Sequence, residues 1–379
     1  MNVSFEVPRQ LLNKVEILLE RIPYLSEIIT AMSYNNEARI VNLTVSEQDL
    51  NSTQMSELRT SYLELCDSLE NTRVLKERVV KSNLDMGHDI QLKPKDDSSI
   101  QQLYMDEFDI LLLEKLDKEF IRIATNHGAE LREYPSVLNR KNMTRNQYHI
   151  HFPQNIFGVT SVPHDYNAIN NFRLQAQQDT YDGSLLFQGE VLQPCICYHC
   201  YEELQEKKWS NARVLTGKGK CFRHEIEWRK DNFRRNEFTM REIVYFGNED
   251  WVVHKRNHIM EDVWGLFESL GMKGRIATAT DPFFFSQDLN TKGTYQMMSN
   301  AKYELIATTL SGKDISIASF NYCQDMLCSK YEIKNNEDTT LHSGCVAFGI
   351  DRWKEAFIDL YGRELNQWPE TKIEKEMLI

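Results

Sequence analysis

The stretch that most restricts the fold is a pair of strand-like segments separated by a charged loop. Gly219-Lys220-Cys221-Phe222-Arg223-His224-Glu225 leads into Arg229-Lys230-Asp231-Asn232-Phe233-Arg234-Arg235-Asn236, and Phe238-Thr239-Met240-Arg241-Glu242 follows. Alternate residues of a strand share a face. Arg223, Glu225 and Glu227 are therefore expected together on the first strand, and Phe238, Met240 and Glu242 on the second. A guanidinium, carboxylates and an aromatic ring on one hairpin suit a nucleotide, with a cation for phosphate, a ring for the base and acids for an amine or a metal. The same pattern describes an ordinary amphipathic hairpin with a charged outer face, and this segment alone does not separate the two.

The 379 residues suggest two domains rather than one core. A net charge of -12 argues against broad, sequence-independent nucleic-acid binding, which needs many cations to displace counterions. No window approaches the run of about 18 apolar residues that a membrane span requires, so no membrane association is expected. Met1 to Gln10 lacks a basic and apolar leader, which together with the missing span points to the cytoplasm. Eight cysteines in an acidic chain without a visible leader are expected to be reduced thiols or metal ligands rather than a disulfide framework.

Leu11, Leu12, Val15, Leu18, Leu19 and Ile22 recur at helical spacing, as do Leu58, Tyr62, Leu65 and Leu69. A polar stretch over 85–99 reads as a linker. This predicts a helical N-terminal region, 1–97, and a catalytic domain, 98–379. A helix is predicted over 100–127, stopped by Asn126-His127-Gly128. Beyond it, strands are predicted over 192–198, 219–228, 237–247, 302–310, 314–321 and 341–350. Helices are predicted over 163–177, 198–207, 249–270 and 352–361. Runs of strands with helices on one side imply an α+β fold around an antiparallel sheet. Thr216-Gly217-Lys218-Gly219-Lys220 lacks the spacing of a phosphate-binding P-loop and is read as the turn feeding the first hairpin strand.

Near the C-terminus, Leu341-His342-Ser343-Gly344-Cys345-Val346-Ala347-Phe348-Gly349-Ile350-Asp351-Arg352-Trp353 reads as a buried strand ending in an arginine at a helix start, where anions are favoured. At this point the chain resembles class II aminoacyl-tRNA synthetases. It is most similar to the zinc-dependent seryl-type relatives that charge carrier proteins, the amino acid:[carrier protein] ligases. The resemblance rests on Gln193 to His199, Cys221 to Glu225, Phe238 to Glu242, Asp281-Pro282-Phe283-Phe284, Lys302 to Leu305, Ser319 to Tyr322 with Gln324-Asp325, and His342 to Arg352. It spans roughly residues 100–379. It implies a class II synthetase-like antiparallel sheet flanked by helices.

The resemblance further implies that Arg223 contacts the α-phosphate of ATP, Glu225 the adenine amino group and Phe238 the adenine ring, while Arg352 holds the far side of the base and the γ-phosphate. Arg223 and Arg352 would be the catalytic pair. Glu304 is a candidate carboxylate for Mg2+, or half of an edge-strand salt bridge. Cys195, Cys197 and Cys200 invite a structural zinc reading, although their spacing lacks paired Cys-x-x-Cys knuckles. The resemblance implies a different Zn2+ site, Cys197, Glu242 and Cys345, whose three protein ligands leave one position for a substrate amino group. Cys323 falls in a matching motif, and whether it or Cys195 lines the site is left open.

The activity implied is ATP-dependent formation of an aminoacyl-adenylate from a small α-amino acid, glycine or alanine being favoured. Transfer to the phosphopantetheine thiol of a carrier protein would follow. Arg229, Lys230, Arg234 and Arg235 are the basic patch that would dock an acidic carrier. The segment leading to Pro135 resembles the synthetase dimer motif, which implies a homodimer. No Lys/Arg-rich appendage for tRNA is evident, so tRNA is not expected as the acceptor. A tRNA-charging seryl-type synthetase, or a non-catalytic synthetase-like binding protein, are the alternatives.

Overall fold

The computed structural model describes residues 1–46, 52–73, 75–85, 104–281, 283 and 285–363. The chain opens with β1 (Asn2–Glu6), winds through short helical turns over 9–24, and returns as β2 (Ile29–Asn35) and β3 (Ile40–Val45). These strands form an antiparallel sheet in the order β1-β3-β2. The helix Ser52–Glu70 packs on it through Leu58, Tyr62 and Leu69. The N-terminal region is therefore α+β, not helical as the spacing predicted. Val3 and Phe5, then Val41, Leu43 and Val45, are buried at a period of two, which is the strand signal. The helical spacing of Leu11, Leu18 and Ile22 is real, but the segment tightens into a 3-10 turn at Ile22–Tyr24, where Pro23 withholds a backbone donor.

The predicted linker over 85–99 lies, apart from Asp85, outside the described residues. Just before it, β4 (Val79–Ser82) belongs to the large sheet, so the boundary at residue 97 falls beyond a segment already built into that sheet. The next helix is Glu107–Asn126. Asp106 and Asp109 cap it reciprocally, each carboxylate accepting from the other's backbone N–H. It ends at the predicted stop, where Gly128 takes a left-handed φ of 81°.

There follow β5 (Glu130–Arg132), then β6 (Val137–Leu138), β7 (Gly158–Ser161) and β8 (Leu186–Leu192), which form a small sheet in the order β6-β8-β7. After the helix Cys197–Leu204 come β9 (Lys208–Trp209), β10 (Arg213–Phe222) and β11 (Glu237–Gly247). The helix Glu249–Ser269 leads to β12 (Gly274–Thr278), β13 (Lys302–Thr308), β14 (Asp314–Gln324), β15 (Lys334–Asn335), β16 (His342–Gly349) and the helix Ile350–Tyr361. The large sheet runs β4-β12-β13-β14-β16-β11-β10-β5. All its pairs are antiparallel except that of β10 with β5.

Alternation along β11 divides the molecule. Ile243 and Tyr245 face the main core, where the helices Glu107–Asn126, Glu249–Ser269 and Ile350–Tyr361 meet the sheet and Phe120 stacks on Phe348 at 4.3 Å. Val244 and Phe246 face the helix Cys197–Leu204. Phe238, Met240 and Glu242 share the parity of Val244, which places them on the face opposite the long helices.

Arg241 has the other parity and is buried against the helix Glu107–Asn126. Its Nε and Nη2 donate to the Asp117 carboxylate at 2.5 and 3.0 Å, and Lys218 lies 3.0 Å from the same acid. Removing one partner strands the other's charge. Asp117→Ala should therefore destabilise the protein by about 3–5 kcal/mol in denaturant unfolding, while Asp117→Leu with Arg241→Met should restore most of that loss. Burial works to raise the Asp117 pKa, but Arg241 and Lys218 outweigh it and hold the carboxyl below 3.8. The stabilisation is thus present above pH 3.8 and is lost as pH falls through the lower folded value.

The N-terminal unit is tied to the segment that follows β12 by Arg21, buried at 8% exposure. Its guanidinium donates to Phe283 O at 3.1 Å and to Ser286 Oγ at 2.8 Å. Arg21→Ala should cost about 1–3 kcal/mol, seen as faster amide exchange across 283–289, because the Phe283 carbonyl loses a charged donor.

Candidate functional site

The site is assembled on β10 and β11 by a loop that crosses them. Gly217 and Gly219 sit within β10, opposite Glu242 and Met240. The Thr216–Lys220 segment is thus mid-strand and not the turn that the sequence suggested. A Cβ at Gly217 would stand 3.1 Å from Ile196 Cγ2, and one at Gly219 would stand 3.0 Å from Ile196 Cδ1. The two glycines give the loop Gln193–Cys197 room to lie flat on the strand. The buried Gln193 side chain donates to Lys220 O at 2.7 Å, and Phe222 N donates to Gln193 O at 2.8 Å. This explains why the predicted strand over 192–198 ends at residue 192 and gives way to a loop before the helix that starts at Cys197: its backbone groups bind β10 and Glu242 instead of extending a ladder.

β10 ends at Phe222, earlier than predicted, and Glu227 falls in a 3-10 turn (Glu227–Arg229) rather than on a strand face. Arg223 is held at the strand's end. Its backbone N–H donates to Asn236 O at 2.8 Å and its Nη2 to Pro194 O at 3.4 Å. Its guanidinium lies 5.1 Å from the Phe238 ring centroid, within cation–π range. Its buried Nε has no hydrogen-bond partner among the described residues. Arg352, in the first turn of the helix Ile350–Tyr361, donates to Phe233 O at 2.8 Å and Ser316 O at 2.9 Å. Burial pushes its pKa down, and so do the charges of Arg223 and Arg234, while Glu304 and Glu225 oppose this. Five of the sequence-predicted residues, Arg223, Glu225, Phe238, Glu304 and Arg352, therefore meet at one end of the sheet. Arg223 and Arg234 press on a third guanidinium, Arg352, beside an aromatic ring, and such a set makes a receptor for a polyanion carrying a base. ATP fits this donor set.

Glu304 does not present a free carboxylate. Lys302 Nζ lies 3.0 Å from Glu304 and 2.7 Å from Asp281. With that ammonium already between the two acids, these residues do not fit a magnesium site, and Lys302 takes the place of a dication there. The salt-bridge alternative for Glu304 is the one that the geometry favours.

The metal-ligand candidates lie beside this cleft. Glu242 is 2% exposed, and its two carboxylate oxygens accept from Ile196 N at 3.2 Å and Cys197 N at 3.0 Å. The donor atoms of Cys195, Cys197 and Glu242 all lie within 4.8 Å of one another, the one such metal-capable cluster among the described residues. Cys345 stands outside that mutual set. Its thiol faces those of Cys197 and Cys323, and Asn321 Nδ2 lies 3.4 Å from its sulfur. Two of the three expected ligands are thus brought together with Cys195, and the third adjoins Cys197. Cys200 turns away and pairs with Tyr134.

Hydrogen bonds from Cys197 and Cys323 hold Cys345 well below the usual thiol range. Burial, then the Cys345 charge, pushes Glu242 up to about 8. One anion thus suppresses another among closely spaced soft and hard donors. A zinc ion is the group that lets such donors ionise together, and a sulfur-rich set with one carboxylate suits it.

Each cation of the expected carrier-docking patch already has a partner. Arg229 Nη1 donates to Glu20 O at 3.3 Å, Lys230 pairs with Glu227, Arg234 lies 3.0 Å from Glu225, and Arg235 lies 3.6 Å from Glu355. Trp228 packs against the N-terminal core. The N-terminal unit therefore grips the loop that carries Arg234, a contact that no motif in residues 1–97 signals.

No family model matches the chain. Over 273 residues, 68% of this chain and 80% of the relative, it is 29% identical to amino acid–[acyl-carrier-protein] ligase 1 of Bradyrhizobium diazoefficiens. It is 28% identical to ligase 2 of the same organism, over 64% of this chain and 73% of that one. To the type-2 serine–tRNA ligase of Methanopyrus kandleri it is 23% identical over 67% of its length, but it spans only 52% of that protein. Among solved structures, M. kandleri seryl-tRNA synthetase in complex with A. aeolicus tRNASec aligns with 97% of this chain and 76% of its own. The TM-score is 0.67 at 19% identity. The fold is that of a class II synthetase, and the likeness to carrier-protein ligases and type-2 serine–tRNA ligases that the motifs suggested is borne out.

Proposed function

We propose that this chain is an AMP-forming ligase that activates a small α-amino acid, glycine or alanine, with ATP and passes the aminoacyl group to the phosphopantetheine thiol of a carrier protein. The observation that carries the reading is the convergence of Arg223, Arg234 and Arg352 with the Phe238 ring, next to the buried Cys195–Cys197–Glu242 cluster. Arg223 and Arg352 would neutralise charge developing at the phosphates and align the substrate carboxylate for attack on the α-phosphorus, with pyrophosphate leaving. Phe238 would stack on adenine and Glu225 would accept from its amino group. Cys197, Glu242 and Cys345 would hold zinc, which when bound takes an unprotonated amine and so selects α-amino acids. The relatives named acyl-carrier-protein ligases support a carrier thiol as acceptor. No helix among the described residues is long and apolar enough to cross a membrane, and the reading places the protein in the cytoplasm. A homodimer would form along β5, the edge strand on which Leu131 is 55% exposed.

The test is amino-acid-dependent exchange of pyrophosphate into ATP, followed by transfer to a phosphopantetheinylated carrier or to bulk tRNA. Exchange with glycine or alanine and labelling of the carrier alone is the expected result. Labelling of tRNA instead would identify a seryl-type synthetase, and no exchange with any amino acid would overturn the enzyme reading.

A further inference from the structure

The geometry points to Cys195 as an additional thiolate ligand of the metal, one that the Cys197, Glu242 and Cys345 set does not include. The inference rests on the zinc reading of this site. Cys195 Sγ lies 3.5 Å from Cys197 Sγ. Two sulfurs on one tetrahedral zinc, each about 2.3 Å from it, are about 3.8 Å apart, whereas a disulfide needs about 2.05 Å. The pair is thus spaced as ligands of a shared ion and not as a cystine. The Glu242 carboxylate completes a set whose donor atoms all lie within 4.8 Å.

The position of Cys195 is imposed by structure on both sides of it. Gln193 is fully buried and bonded to β10 through both its side chain and its carbonyl. Ile196 N and Cys197 N are bonded to the Glu242 carboxylate. Ile196 itself fills the space over Gly217 and Gly219. Cys195 has little freedom to swing away, so its thiol is preorganised beside Cys197. The next cysteine, Cys200, is one helical turn on and is engaged with Tyr134, so proximity in sequence does not by itself produce this placement.

Cys195 also differs from its neighbours in exposure. Cys197 and Cys345 are buried, while Cys195 is partly open and lies within electrostatic reach of Arg223. It is thus the thiol of the cluster that adjoins Arg223. Three thiolates and a carboxylate would fill a tetrahedral ion, so an incoming amine would have to displace Cys195 or enter as a fifth ligand. Cys195 would then set how readily the site accepts substrate, as well as how tightly it holds metal.

Cobalt substitution tests this directly. The full-length protein is stripped with a chelator and titrated with Co2+ alone, and its thiolate-to-cobalt charge-transfer band is recorded. Zinc affinity is read by competition with a chromophoric chelator. Cys195→Ser should lower the band to about two-thirds of wild type, three thiolates becoming two, and weaken zinc by at least about tenfold. Cys200→Ser should change neither. If Cys195→Ser keeps the full band and affinity while Cys197→Ser loses both, Cys195 is not a ligand and the zinc reading stands without it. If the wild type takes up no metal, the inference falls together with that reading. Should the serine variant fail to fold, cadmium-113 resonance of the wild type counts thiolates without mutation. A shift typical of three sulfurs supports the assignment, and one typical of two overturns it.

Discussion

Arg223→Ala is expected to lower amino-acid-dependent pyrophosphate exchange by about 10³-fold, without destabilising the protein. The first part follows from where the guanidinium sits. It is anchored through Pro194 O and the Phe238 ring, and its Nε is left without a partner among the described residues. A buried donor in that condition is desolvated at a cost, and the cost is recovered when an anion arrives. Removing one preorganised donor from a charge-developing site typically costs on the order of 10²–10³ in rate, and arginines acting on phosphoryl groups reach beyond that. The second part follows from the electrostatics. Arg223 and Arg234 both press on Arg352 and lower its pKa. The charge of Arg223 itself is favoured by Tyr148, Cys195, Cys221 and Glu225, so with no phosphate bound the relief of Arg352 offsets the loss of those contacts and the melting temperature should change little. Arg223→Lys keeps the charge but loses the planar fork, and should retain more activity than the alanine variant. Exchange within tenfold of wild type for Arg223→Ala would remove Arg223 from the proposed chemistry.

Much of the face that carries Phe238 and Glu242 was legible in the sequence because strand alternation is a strong local signal. Phe238, Met240 and Glu242 share a face because β11 is regular over all its residues, as its pattern predicted. The helix stop at Gly128 was legible for a similar reason, since a left-handed residue needs a glycine there. The misses arise where tertiary contacts override local pattern. The strand predicted over 192–198 stops at residue 192, because the loop's N–H groups are claimed by Glu242, forty-odd residues away. The basic loop reads as a docking patch in sequence, yet Glu20, Glu225, Glu227 and Glu355 reach it from four places, and two of those places, Glu20 and Glu355, lie far from it in sequence. The N-terminal sheet was hidden by real helical spacing in its first turns. The period-two burial of Val41, Leu43 and Val45 was the signal that could have exposed it. For the cluster, Cys195 was visible as one of three close cysteines. Which of the three turns inward depends on Gly217 and Gly219 in another strand, and spacing along the chain carries no trace of that.

Cys197→Ala should abolish zinc binding and, with it, exchange. The fresh wild-type protein is expected to hold about one zinc per chain and the variant close to none. Cys197 is the hub of the donor set: it faces Cys195, it faces Cys345, and its own N–H orients Glu242. Losing its sulfur leaves Cys195 and Cys345 without the donor that links them. The backbone bond to Glu242 survives, so the carboxylate stays in place and the fold should be retained, which the circular dichroism spectrum would check. Proton release gives a second measure of the same site. In the metal-free protein, burial and the Cys345 charge keep Glu242 up near 8, so at neutral pH the cluster carries protons that a dication must expel. Zinc added to stripped wild type in weak buffer should therefore acidify the solution, and the same addition to Cys197→Ala should not. Because Cys345 is pushed down while Glu242 is pushed up, the two shifts act in opposite directions on the pH dependence of stability. Proton release on metal binding is thus the sharper observable. Fresh wild-type protein without zinc, or Cys197→Ala with a full equivalent, would refute the metal site.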